Sequence, residues 1–184
     1  MTAHALQVLV VVASRHGATA EIGAAMARVL ADSDAGRAAG LAAVSLPVEQ
    51  QPDPAPYDAV ILGSAVYGGR WLEPARTYAA AHVAALRLRP VWLFSSGPIG
   101  EPPFPAEEPH DVGTLMPLTG ARGHRTFPGR LEEDRLSFGE RAMVTAMRAP
   151  TGDFRDWDAV RAWGEEIAAE VVRPTIAPVA ASQH

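Results

Sequence analysis

The 184-residue chain contains no cysteine and no lysine, and its 16 basic residues are all arginine. The absence of cysteine excludes disulfides, thiolate nucleophiles and cysteine-ligated metal or iron–sulfur centres. The absence of lysine excludes a P-loop phosphate site and a Schiff-base mechanism. The six histidines show no metal-ligand spacing, so we predict no metal site.

The chain also lacks a long apolar run and a basic excess. No run approaches the roughly 20 residues that span a bilayer, so no transmembrane segment is predicted. The first residues, "MTAHALQ", have no basic region typical of a signal peptide, so we expect a cytoplasmic protein. The net charge of −5 argues against a nucleic-acid partner.

Composition and length indicate one globular domain. Hydrophobic residues make up 48% of the chain and charged residues 20%, as in soluble proteins. We expect a single domain over residues 1–173. The last residues, 174–184, are rich in Pro, Ala and Ser and are predicted to form a flexible tail.

Short apolar runs alternate with helical patterns along the chain. Strands are predicted at Leu6–Val12, Leu41–Leu46, Asp58–Gly63 and Pro90–Phe94, with a final strand within His124–Leu131. Continuous apolar runs are typical of parallel strands that are covered on both faces. Helical spacing predicts helices over Thr19–Asp32, over Leu72–Ala85 and after an N-cap at Asp156. This alternation predicts a doubly wound α/β domain.

Ligands of such a sheet bind beyond the carboxyl ends of the strands. Three predicted strands end in segments that carry Ser and Gly: Ser14–Thr19 ("SRHGAT"), Ser64–Trp71 ("SAVYGGRW") and Ser95–Gly100 ("SSGPIG"). In the first, Gly17 permits a tight turn, and the amides that open the next helix favour an anion. For this loop alone, an ordinary capped turn remains an alternative.

Other nucleotide motifs are missing. The chain has neither G-x-G-x-x-G after its first strand nor G-x-x-x-x-G-K-[ST]. A phospho-acceptor domain would need acidic residues at the strand ends, where this chain has Ala13-Ser14 and Gly63-Ser64.

The pattern Ser14-x-x-Gly17-x-Thr19 resembles the phosphate loop of flavodoxins, which bind FMN without a cationic side chain. "GSAVYGG" and "SSGPIG" fall where flavodoxins hold the isoalloxazine ring. The chain is most similar to the branch that includes the menaquinone-dependent protoporphyrinogen oxidases, through its short link "PVEQQPDPAPY" and its segment "RLSFGERAMVTAMRAPTGDFRDWDAVRAWGEEIA". The resemblance covers about residues 6–172.

The resemblance implies a flavodoxin-like, three-layer α/β/α domain with a five-stranded parallel sheet of order 2-1-3-4-5. It also implies non-covalent FMN. The implied cofactor-binding residues are Ser14, Arg15, His16, Gly17, Ala18 and Thr19 at the phosphate, Ser64, Ala65, Val66 and Tyr67 beside the ring, and Ser95, Ser96, Gly97 and Pro98 on its pyrimidine side. Arg15 and His16 depart from the usual loop and either contact the phosphate or border it.

Individual side chains carry further expectations. Tyr67 is expected to stack on the flavin, whereas Trp71 either covers the ring edge or belongs to the core. Arg70 is expected at the surface. The segment Leu136–Met147 is interpreted as a helix that covers the sheet edge, with membrane or substrate contact as the alternative. The proline-rich loop after Gly97 is a candidate rim over the flavin.

Three functions compete at this point. The first is an FMN electron carrier or flavin oxidoreductase, the second a protoporphyrinogen oxidase that passes electrons to a quinone, and the third a flavin-free binding module. The expected partners are a redox protein or a small-molecule or quinone acceptor, with peripheral membrane contact as an alternative. No side chain is expected to act as a general acid or nucleophile.

Overall fold

The computed structural model describes residues 5–97, 99 and 107–173. The predicted tail 174–184 and the first part of the predicted rim lie outside these residues. The strands are β1 (Gln7–Ala13), β2 (Ala42–Pro47), β3 (Ala59–Tyr67), β4 (Arg70–Trp71), β5 (Val91–Ser96), β6 (Gly123–Phe127), β7 (Arg130–Leu131) and β8 (Gly152–Asp153). The α-helices are α1 (Ala18–Asp32), α2 (Asp34–Ala39), α3 (Glu73–Ala81), α4 (Val83–Leu86), α5 (Val112–Thr119), α6 (Phe138–Met147) and α7 (Trp157–Val172).

The main sheet has five parallel strands in the order β2-β1-β3-β5-β6, and the short β4 pairs antiparallel with β3. Because β4 is not one of the parallel strands, β5 and β6 are the fourth and fifth of them, and the arrangement confirms the predicted fold class and the strand order 2-1-3-4-5. The final strand predicted within His124–Leu131 is β6, which stops at Phe127. Arg130–Leu131 instead pairs with β8 in a separate two-stranded sheet.

Successive side chains of a strand point to opposite faces of the sheet. Because those of β1 are apolar on both faces, helices cover both faces. Val8, Val10 and Val12 of β1 pack with α1 and α7 in one core cluster. Leu9 and Val11 pack with α3, α4 and α5 in the other. Two fully covered faces explain why the strands show continuous apolar runs rather than alternation.

Three helical features differ from the predictions. The helix predicted over Leu72–Ala85 is divided at His82, whose φ of −105° and ψ of 15° end α3. Neither α2 nor α5 was predicted. Helix α5 contains Pro117, which obscured its helical pattern in the sequence. Proline is tolerated in the first turn of a helix, but Pro117 lies beyond that turn.

The close packing of β3 against β5 gives a stability prediction. Gly63→Ala would place a Cβ 2.1 Å from the ring of the fully buried Phe94, which has no room to retreat. We expect the free energy of unfolding in urea to fall by about 1–3 kcal/mol. Gly113→Ala in α5 meets no atom within 4 Å and is the matched control, with a change within about 1 kcal/mol. Equal effects of the two substitutions would contradict this account of the sheet.

Candidate functional site

The carboxyl ends of β1, β3 and β5 open onto a cavity of about 240 Å³. Parallel pairing brings these ends to one edge of the sheet. The predicted site residues that line the cavity are Ser14, Arg15, His16, Ala18, Thr19, Ala65, Val66, Tyr67, Ser96 and Gly97. Gly17, Ser64 and Ser95 belong to the same strand ends without lining it, and Pro98 lies outside the described residues.

The first loop forms a cradle of hydroxyl groups and backbone amides at the start of α1. Gly17 caps the helix with a φ of +88°, a conformation that favours glycine, and its amide donates to Ser14 Oγ at 3.1 Å. Thr19 is only 3% exposed and lines the cavity, yet its hydroxyl has no hydrogen-bond partner among the residues that the structure describes. Ser14 and Thr19 therefore offer O–H donors beside the positive end of a 15-residue helix.

Arg15 and His16 both bind one carboxylate. Arg15 Nε lies 2.9 Å and His16 Nε2 3.2 Å from Glu140 Oε1. The Arg15 guanidinium also lies 5.1 Å from the centre of the Tyr67 ring, and the edge of His16 faces that ring at 6.4 Å between centroids. Both side chains thus face the cavity but already have partners.

The second loop presents an aromatic ring at the cavity. Tyr67 ends β3 and remains 38% exposed. Burial and, to a smaller extent, the Glu140 carboxylate raise the pKa of the Tyr67 phenol, so the phenol stays neutral. Ser64 is fully buried, where its hydroxyl donates to the Ala65 carbonyl at 2.8 Å and accepts from the Leu72 amide at 3.0 Å. Ser64 shapes the loop from beneath.

Trp71 and Arg70 both contact other parts of the fold. The sequence left two alternatives for Trp71 and predicted a surface position for Arg70. Trp71 is 2% exposed and belongs to the core, so it does not cover a ring edge. Arg70 is a surface residue as expected, and its guanidinium donates to Asp111 Oδ1 at 3.0 Å. The second Asp111 oxygen accepts from the Trp71 amide, so this carboxylate anchors β4.

The third loop rests on a chain of hydrogen bonds that runs from the buried Trp71 to the exposed Glu108. Trp71 Nε1 donates to Ser95 Oγ at 2.7 Å, Ser95 Oγ lies 2.8 Å from His124 Nε2, and His124 Nδ1 lies 2.9 Å from Glu108. Burial lowers the pKa of His124, although Glu108 opposes this effect. The lowered pKa favours a neutral ring, whose Nε2 can accept a hydrogen bond from the Ser95 hydroxyl. This pattern matches that of a hydrolytic triad. However, Ser95 is fully buried and does not line the cavity, so no substrate reaches it there.

Helix α6 forms the outer wall of the cavity, whereas the sequence favoured a cover for the sheet edge and kept membrane or substrate contact as the alternative. Its residues Glu140, Met143, Val144 and Met147 line the cavity, as the i, i+3, i+4, i+7 face of one helix. Phe138, the first residue of the helix, lies on the outer side and is 90% exposed. The interpretation of this helix as a cover for the sheet edge is wrong, because none of its residues is buried.

A second acidic and basic cluster holds the small β7–β8 sheet against α1. Arg155 pairs with Glu21 and with Asp153, and Arg130 donates to both oxygens of Glu21 at 3.3 Å. The hydrogen bonds from Arg155 lower the pKa of Glu21 and of Asp153. The acidic side chain in the first turn of α1 is therefore neutralised by neighbouring arginines.

No helix among the described residues is long and apolar enough to cross a membrane.

The pKa of Glu140 gives a pH-dependent stability prediction. The Ser137 amide, followed by the His16 side chain, lowers this pKa from 4.5 to about 2. A lowered folded-state pKa adds stability that is complete above pH 4.5 and is lost as the pH falls through 2. We expect the urea midpoint of wild type to exceed that of Glu140→Gln at pH 6, and the difference to shrink at pH 2.5. A difference that stays constant with pH would contradict the assignment.

Comparisons with known proteins agree with this geometry. The flavodoxin domain family matches residues 9–158. No curated protein sequence matches the chain. A flavodoxin from the domain Archaea is 14% identical, with a TM-score of 0.62 over 91% of this chain and 100% of its own. The Megasphaera elsdenii flavodoxin is 18% identical, with a TM-score of 0.55 over 88% and 98%.

A flavodiiron core from Synechocystis is 17% identical, with a TM-score of 0.61 over 92% of this chain but only 36% of its own. At these identities the structures establish the fold alone. The family match covers most of the chain and does not separate the protoporphyrinogen oxidase branch from other flavodoxin domains. The family match and the shared fold together show that this chain belongs to the flavodoxin domain family.

Proposed function

We propose that this protein binds FMN non-covalently in the cavity and transfers electrons through it. The observation that carries the proposal is that one cavity combines a cradle of hydroxyls and amides at the start of α1 with an aromatic and apolar wall. The family match supports a flavin, and the match to flavodoxin structures supports its location at these strand ends.

The first loop fits a phosphate group. The hydroxyls of Ser14 and Thr19 and the amides that open α1 are donors, and the helix dipole favours a negative charge there. The hydroxyl of Thr19 is the strongest support, because it lines the cavity, makes no hydrogen bond with the described residues and is therefore available to a ligand. Gly17 and Ala18 would contribute backbone to the same cradle.

The second and third loops fit the edges of a flat ring. A Cβ at Gly97 would lie 3.0 Å from Val66 Cβ, so the two loops approach each other as closely as glycine permits. Ala65, Val66 and Tyr67 would flank the ring, while Ser96 and Gly97 would offer backbone groups to its polar edge. Ser64 and Ser95 would act indirectly by fixing these loops. Pro98 stays a prediction from the resemblance.

Bound FMN supplies the redox chemistry, and the chain orients it and controls access. The partly exposed Tyr67 leaves one side of the cavity open to an electron acceptor. A redox partner protein or a small-molecule acceptor such as a quinone would bind there. Nothing in the described site favours protoporphyrinogen as a substrate, and a turnover assay with protoporphyrinogen and a quinone would decide that alternative.

The direct test is a titration of the purified protein with FMN, with Gly17 variants as controls. We expect one FMN per chain, and binding at least tenfold weaker for Gly17→Asp than for Gly17→Asn. The two side chains have the same shape and tolerate the φ of +88° similarly, so the difference isolates the negative charge beside the phosphate.

Isothermal calorimetry and flavin fluorescence measure this binding. Absence of FMN binding at high micromolar concentration would contradict the proposal and support the flavin-free module. Equal affinities for the Asp and Asn variants would remove this loop from the phosphate site.

Tyr67 provides the test of ring stacking. Tyr67→Ala should weaken FMN and riboflavin binding equally, by about tenfold, because both ligands carry the same ring. Tyr67→Phe keeps the aromatic face and should bind within about twofold of wild type. Weakening by the Phe variant to the same extent as the Ala variant would show that the hydroxyl, not the ring, makes the contact.

A further inference from the structure

Glu140 has three polar partners from two parts of the fold. Its Oε2 accepts from the Ser137 amide at 2.8 Å, which completes the capping box of α6. Its Oε1 faces Arg15 Nε at 2.9 Å and His16 Nε2 at 3.2 Å. One carboxylate thus caps the start of α6 and also binds Arg15 and His16 of the first loop.

The Glu140 contact is also the polar attachment of α6 to the first loop. Helix α6 has no buried residue, and the other side-chain hydrogen bonds of its described residues stay within residues 136–145. The position of this wall therefore depends on the charge balance at Arg15 and His16.

The same carboxylate shares the cavity with the phosphate cradle. Glu140, Arg15, His16, Ser14 and Thr19 all line it. Because its pKa is about 2, Glu140 is ionised at neutral pH. A phosphate group that enters the cradle meets a fixed negative charge, and it competes with that charge for the same N–H donors.

We propose that Glu140 is a specificity-determining residue: an internal anion that competes with the phosphate of the flavin for Arg15 and His16. It thereby reduces the preference of the site for phosphorylated over unphosphorylated flavin. The inference rests on the proposed function, because it assumes that the cavity takes a flavin. It differs from that proposal in assigning Glu140 an effect on the phosphate alone.

The test compares FMN with riboflavin, which carries the same ring without the phosphate. We measure both dissociation constants at low salt for wild type, for Glu140→Gln and for Glu133→Gln. Glu133 belongs to the same segment, is exposed and does not line the cavity, so its variant controls for the change in net charge. We expect Glu140→Gln to bind FMN at least fivefold more tightly and riboflavin within twofold of wild type.

The control should leave both constants within twofold. An unchanged or reduced FMN preference in Glu140→Gln would overturn the proposal and show that the carboxylate only positions the two side chains. Failure of wild type to bind either flavin would overturn the proposed function and this inference with it, whereas flavin binding without the shift overturns the inference alone.

Hydrogen exchange on wild type gives a second measurement that needs no variant. When phosphate takes Arg15 and His16, Glu140 loses two of its three partners, so α6 is held less firmly. We expect the amides of residues 141–147 to exchange at least threefold faster in the FMN complex than in the riboflavin complex. Equal or slower exchange in the FMN complex would overturn the proposal.

Discussion

Parallel pairing of β1 with β2 on one side and with β3 on the other is the constraint on which the site depends. Parallel neighbours need crossover connections, and these place helices on both faces and the carboxyl ends of the strands at one edge. The complete burial of Val8–Val11 shows how strictly both faces are covered. The loops after β1, β3 and β5 meet because their strands leave no other arrangement.

Charge around the first loop is balanced rather than basic. Glu140 pairs with Arg15, Glu21 with Arg130 and Arg155, and Glu132 with Arg135 at 2.6 Å. Little net side-chain charge is therefore left to attract an anion. While Arg15 and His16 are paired with Glu140, attraction for an anion comes chiefly from the start of α1, with its free amides and the hydroxyls of Ser14 and Thr19. This balance suits a site that fixes the orientation of a ligand through hydrogen bonds.

The sequence predicted the elements whose signals are local. The apolar run of β1 and the turn at Gly17 follow from a few adjacent residues, and both lie close to where they were expected. The sequence did not favour α6 as a wall of the cavity, because the contact between His16 and Glu140 spans 124 residues. The apolar pattern of α6 identified a helix, but nothing in that pattern says which surface it faces. Ser95 was likewise placed at the cavity by its position after a strand, whereas its hydrogen bonds to Trp71 and His124 hold it in the core.

The cavity consequently has walls of different strength. Its floor is formed by strand ends that are fixed by the pairing of β1, β3 and β5 and by the hydrogen-bond chain from Trp71 to Glu108. Its outer wall, α6, has no fully buried residue and is held to the first loop through one carboxylate. A ligand that enters cannot move the floor without breaking the sheet, but its charge acts directly on the contact that holds the wall. If the cavity binds an anion as proposed, its binding and the position of α6 are linked, and by the same linkage any change that loosens α6 would alter the affinity for the anion.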